Sequence, residues 1–122
     1  MIKFNALYQS LKKVSAEWHA GHVQWQYSWS YLKFYENGKV SYCCTPSDHF
    51  AKLNEWFDFE NDAFFYRGNY VIKEDSKLVI TIPVEKGKLV FDGCIDCNNL
   101  ILRMTSSDSS FIEYWDEYLL IV

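Results

Sequence analysis

The residues best suited to chemistry are soft and borderline metal ligands in two short motifs, Cys94-Ile95-Asp96-Cys97 and His19-Ala20-Gly21-His22. Two thiolates and two imidazoles are the donor set of a structural zinc site. The two motifs lie far apart in the chain, however, and only the cysteine pair falls at a turn of the kind that lets two donors converge. Free thiols are the expectation for this pair. A redox Cys-x-x-Cys needs its first thiol at a helix N-terminus within a βαβ setting, and neither condition is met in the sequence around Cys94. Adjacent Cys43 and Cys44 point to opposite faces if they lie on a strand, so at most one could join a common site. A Cys44–His49 dyad requires the chain to fold back between them, and the simpler role for His49 is the polar start of a short helix. Asp58, Glu60 and Asp62 alternate and could pair for acid and base work, but a solvated surface or barrel rim is the default reading for them. No Gly-x-Ser-x-Gly and no phosphate-cradling glycine loop occurs. The expectation is therefore a protein that is not an enzyme, with no catalytic residue, no metal and no cofactor.

The elements that would position such residues are mostly strands. The sequence carries 9 Tyr, 9 Phe and 5 Trp in 122 residues, a composition that favours pleated, half-buried surfaces. A chain of this length fits one domain, taken as residues 1–122. Its net charge of −4, with bases scattered singly or in one pair, disfavours a nucleic-acid partner. Neither a signal peptide nor an apolar run long enough to span a membrane is present, which points to the cytoplasm and to reduced cysteines.

Phe4, Leu7, Tyr8, Leu11, Val14 and Trp18 recur at spacings of three and four, which predicts an amphipathic helix over residues 4–18 that stops at Gly21. From there to about residue 45 the period is two. Val23, Trp25, Tyr27 and Trp29 alternate with Gln24, Gln26, Ser28 and Ser30. Asn37-Gly38 then turns the chain into a hairpin. A two-residue loop would pair Tyr35 with Val40. A three-residue loop with Gly38 left-handed would pair Phe34 with Val40. The second is preferred, because it places Leu32, Phe34, Val40, Tyr42 and Cys44 on one face and sends Lys33, Tyr35 and Ser41 outward. Pro46 to Asp48 predicts the start of a short helix near residues 47–56. Alternation resumes in 63–74, 77–84, 88–92 and 99–105, separated by short turns, and the tail from residue 110 reads as a closing strand more readily than as a helix. About seven or eight short antiparallel strands in succession form a meander, which at this size must close into a barrel over residues 21–122.

The run "YLKFYENGKVSYCCTP", the later "GNYVIKEDSKLVITI" and the strand "LILRMTSS" together resemble the lipocalin-like, calycin-type β-barrel of small bacterial lipocalin-like proteins and of the C-terminal domain of some F-box-only proteins. The likeness covers roughly residues 21–106. It implies a barrel able to hold a small ligand, without naming one.

Alternate residues on a barrel strand share a side, so Trp25, Tyr27, Trp29 and Tyr31 are expected to line the interior. Trp25, Tyr27 and Trp29, with Tyr42 and Tyr70, are the expected ligand-binding residues, for a small hydrophobic or aromatic molecule. The alternative is a filled barrel acting as a protein-interaction or immunity-type domain, with exposed aromatics such as Trp56, Phe57 and Phe59 as its contact surface.

Overall fold

The computed structural model describes residues 2–11, 13–45, 66–74, 76–85, 87–106 and 114–121. Within them the chain forms nine strands and no helix: β1 (Leu7–Ser10), β2 (Lys13–His19), β3 (His22–Phe34), β4 (Lys39–Thr45), β5 (Tyr66–Lys73), β6 (Lys77–Val84), β7 (Gly87–Asp96), β8 (Asn99–Ser106) and β9 (Tyr114–Leu120). Neighbours in sequence from β3 to β9 pair antiparallel, β9 pairs with β1, and β1 returns to β3. Eight strands thus close into an antiparallel barrel, leaving no open edge between β3 and β9. The short helix expected near residues 47–56 falls outside the described residues.

The barrel forms because each of these strands contributes inward apolar positions at period two. In β6, Leu78, Ile80 and Ile82 are fully buried while Val79, Thr81 and Pro83 alternate with them. The same alternation brings in Tyr8, Leu32, Phe34, Val40, Tyr42, Phe91, Leu100, Leu102 and Tyr118, which form one core with Ile2. Rings meet across this core. Tyr42 on β4 and Phe91 on β7, three strands apart in the sheet, have centroids 5.3 Å apart. Phe34 takes Tyr8 and Tyr70 edge-on at 5.6 and 5.1 Å, the arrangement that ring quadrupoles favour. These side chains make up the packed core of the barrel.

The β3–β4 hairpin has the expected register, Phe34 opposite Val40. Tyr35 N–H donates to the Lys39 carbonyl at 2.9 Å around a three-residue loop in which Gly38 has φ +81°. Leu32, Phe34, Val40 and Tyr42 share the core face as expected, but Cys44 is exposed. Lys33 and Ser41 do lie on the outer side, yet both are buried there.

The N-terminal helix is replaced by two strands. From Gln9↔Tyr31 to Lys13↔Ser28, β3 recedes by three residues while the partner chain advances by four. One residue is therefore extra between β1 and β2, the displacement a β-bulge produces. A period-two pattern with one residue inserted generates spacings of three and four, so Leu7, Leu11, Val14 and Trp18 mimic a helical face. The chain then reverses at Ala20-Gly21, both with positive φ (52° and 81°), between His19 and His22. This is the geometry of a tight two-residue hairpin, with glycine at the position that suits it best.

Candidate functional site

The barrel turns at residues 36–38, 74–76 and 97–98 lie at one end, because strands alternate in direction around the meander. β3 leaves the barrel at the other end. Its 13 residues span about 40 Å, and only Trp29–Phe34 pair with β4 while only Tyr31–Lys33 pair with β1. The half from His22 to Ser28 pairs with β2, whose sole partner among the described residues is β3. Together they make a two-stranded arm projecting past the barrel end.

Register decides what this arm presents. Directly paired residues share a face, and the pairs Val14↔Tyr27, Ala16↔Trp25 and Trp18↔Val23 place six apolar residues on one side. The intervening pairs, Lys13↔Ser28, Ser15↔Gln26, Glu17↔Gln24 and His19↔His22, hold polar residue types throughout. The apolar side is open to solvent, with Trp18 at 74%, Trp25 at 63% and Tyr27 at 46% exposure, and Val14 and Val23 exposed as well. No other element contributes a comparable run of exposed rings among the described residues.

The aromatic stripe therefore divides. Tyr31 is fully buried, but in a second, small cluster with Leu7 and Cys43, against which Trp29 packs half-buried. Since Leu32 and Phe34 occupy the barrel core, strand alternation puts Tyr31, Trp29, Tyr27 and Trp25 on the opposite, outer side. This corrects the expectation that the stripe lines the interior. The inner-side positions Gln24, Gln26 and Ser28 are polar because that half of β3 has no barrel core beneath it. Of the other expected ligand residues, Tyr42 is a core residue against Phe91, and Tyr70 packs on Phe34 with its hydroxyl donating to the Tyr35 carbonyl.

The metal-type motifs do not converge. Cys94 lies on β7 and Cys97 in the β7–β8 turn at one end of the barrel, with Cys97 at φ 55°, while His19 and His22 pair at the arm's tip beyond the other end. Among the described residues, no group of three or more His, Cys, Asp or Glu is placed to hold a metal ion. Cys44, like His49, Asp58, Glu60 and Asp62, belongs to the dyad and carboxylate expectations, but the last four lie outside the described residues.

All four cysteines are free, with Cys43 buried and Cys44, Cys94 and Cys97 exposed. Burial in the outer cluster, with the neighbouring Cys44 charge adding to it, pushes the Cys43 thiol up to about 11. Because only the thiolate alkylates, iodoacetamide at neutral pH should modify Cys44, Cys94 and Cys97 well before Cys43, as read by intact mass. A raised folded-state pKa favours the native state below the unfolded thiol's value and loses that contribution as pH rises through the folded one. Native stability is thus expected to decline between about pH 9 and 11. That decline should be smaller in Cys43→Ala, and equal slopes for the two proteins would contradict it.

One open cleft of about 500 Å³ lies on the outer side of β4 and β5, lined by Tyr35, Lys39, Ser41, Arg67, Asn69 and Pro83 among others. Lys39 Nζ already donates to Asn69 Oδ1 at 2.9 Å across its floor. It is about half open to solvent, so it buries a small apolar ligand less than an enclosed pocket would.

What the sequence did not disclose is the arm itself. Its signal was present in the alternation of Val14, Ala16 and Trp18 against Lys13, Ser15 and Glu17, which the helical spacing concealed. No protein-family model, curated protein or solved structure matches this chain.

Proposed function

We propose that this protein is a non-enzymatic barrel of lipocalin-like, calycin-type construction that works as a protein-binding module, its arm being the contact element and its barrel the scaffold. An eight-stranded up-and-down meander closed on itself is the architecture lipocalins use. The observation that carries the functional reading is the pairing of a filled interior with a solvent-exposed aromatic face. Tyr42 and Phe91 meet ring to ring in the barrel core, whereas Trp18 and Trp25 are largely exposed to water, at a cost unless something covers them. Aromatic rings are also the residue class that dominates binding hot spots.

The competing reading is a small hydrophobic or aromatic ligand held in the barrel. A photoreactive benzoylphenylalanine in place of Trp18, ring for ring, in the protein's own host separates the two. A discrete protein adduct that disappears in Trp25→Ser, with none from the same group placed at Glu74, is the expected result. Native mass spectrometry that finds a retained small molecule, lost in Tyr42→Leu, with no adduct from position 18, would overturn the proposal.

A further inference from the structure

We infer that the partner covering the arm is a second copy of this chain, packed face to face on the first arm about a two-fold axis. The inference rests on the reading of the arm as a protein-binding element and goes beyond it in naming the occupant.

Shape is the first argument. Every register pair on the apolar side sets one large ring beside one small side chain: Tyr27 beside Val14, Trp25 beside Ala16, Trp18 beside Val23. Tyr27 and Trp25 carry their rings on β3 and Trp18 carries its ring on β2, so at each pair a ridge on one strand lies beside a hollow on the other. A face built this way is complementary to its own copy, because a two-fold axis can lay the rings of one arm into the hollows of the other, as interdigitating layers do in sheet packing. Ala16 is the deepest hollow, since its side chain is the smallest of the six.

Charge is the second. None of these six residues is charged, so nothing on the face selects a partner of either sign, and two identical faces meet without burying an ion pair or an unpaired charge. Insertion into a lipid surface is disfavoured by β2, which among the described residues pairs only with β3; its other row of backbone groups would enter a medium that offers no hydrogen bonds.

Size is the third. The six side chains, with exposed Leu11 at the arm's base, offer on the order of 600 Å² per copy, close to the roughly 800 Å² per partner of a standard interface. A two-stranded ribbon alone is marginal in water, and stacking two of them gives each a covered face.

Sedimentation equilibrium on the full-length protein tests this directly, with urea unfolding as a check that the barrel is intact. The wild type should sediment at twice the 14.5 kDa chain mass. Trp25→Ser should weaken association about 30-fold or more, the effect of losing a hot-spot ring. Ala16→Trp should also weaken it, by about tenfold or more, because it fills the hollow even as it adds apolar surface. A wild type that stays monomeric at millimolar concentration overturns the inference, as does tighter association in Ala16→Trp, which marks indiscriminate stickiness. Monomers that co-sediment with phosphatidylcholine vesicles overturn it in favour of a lipid surface. If the wild type is monomeric while the position-18 cross-linker still gives a Trp25-dependent adduct with a different protein, the second copy is wrong and the arm's binding role stands. If both assays are blank, both readings fall.

Discussion

Gly93→Ala should lower the unfolding free energy by about 3 kcal/mol or more, the upper range for forcing extra volume into a packed interior, and urea denaturation will read it. Gly93 sits in the middle of β7, paired with Leu78 on β6 and Leu102 on β8. A Cβ at this position would stand 1.9 Å from the Ile101 carbonyl oxygen and 2.9 Å from the Leu102 Cα. Those are backbone atoms of the neighbouring strand, so no side-chain rotation can make room. Gly68 on β5 is in the same situation, 2.1 Å from the Thr81 carbonyl oxygen. Inward-facing glycines of this kind let a strand bend sharply toward its neighbour, which a barrel of only eight strands requires. Gly38 offers the contrast. A Cβ there meets nothing closer than 3.9 Å, and the cost of Gly38→Ala is confined to its φ of +81°, about 1–2 kcal/mol. If Gly93→Ala unfolds at the wild-type urea midpoint, the close approach of β8 to β7 is wrong.

Phe91→Ala should be comparably damaging, by about 3–5 kcal/mol, and should carry a second signature. Phe91 is buried at the barrel centre against Tyr42. Its removal leaves an apolar space on the order of 100 Å³, walled by other core residues and too hydrophobic to hold ordered water. Benzene or indole should therefore raise the melting temperature of Phe91→Ala while leaving the wild type unchanged. Equal stabilisation of both proteins would mean that the native barrel already contains room for a ligand, and would return the small-molecule reading to first place. The same variant thus measures how full the interior is, independently of what the arm does.

Most of the barrel was legible because its strands obey a single rule. The stretch 77–84 coincides with β6, and 99–105 with all but the last residue of β8. The hairpin register followed from Asn37-Gly38 and from the requirement that Leu32, Phe34, Val40 and Tyr42 share a side. β7 was read short because Gly93 resembles a turn residue, although here it is a bend inside a strand. Two features were hidden for physical reasons. The inserted residue between β1 and β2 breaks the alternation once, and a broken period of two is indistinguishable from a helical period over so short a span. The direction of the β3 stripe was hidden because the outer side of this strand is also apolar, so alternation marks two faces without saying which one meets the core. Leu32 and Phe34 in the barrel core, with Tyr31 in the separate cluster of Leu7 and Cys43, resolve it.

Closure has a temporal consequence. β9 lies between β8 and β1, with Tyr8 opposite Leu120 and Leu100 opposite Tyr118, so contacts spanning more than a hundred residues complete the cylinder. A ribosome-bound chain can assemble β1 and β3 to β8 into a sheet, but both edges of that sheet remain unpaired until β9 has been translated. During that interval the nascent chain presents two sticky borders and an unfilled side, the species most prone to misassembly. High contact order of this type also makes the final zippering slow. The barrel therefore closes only once β9 is free to pair with β8 and β1 together.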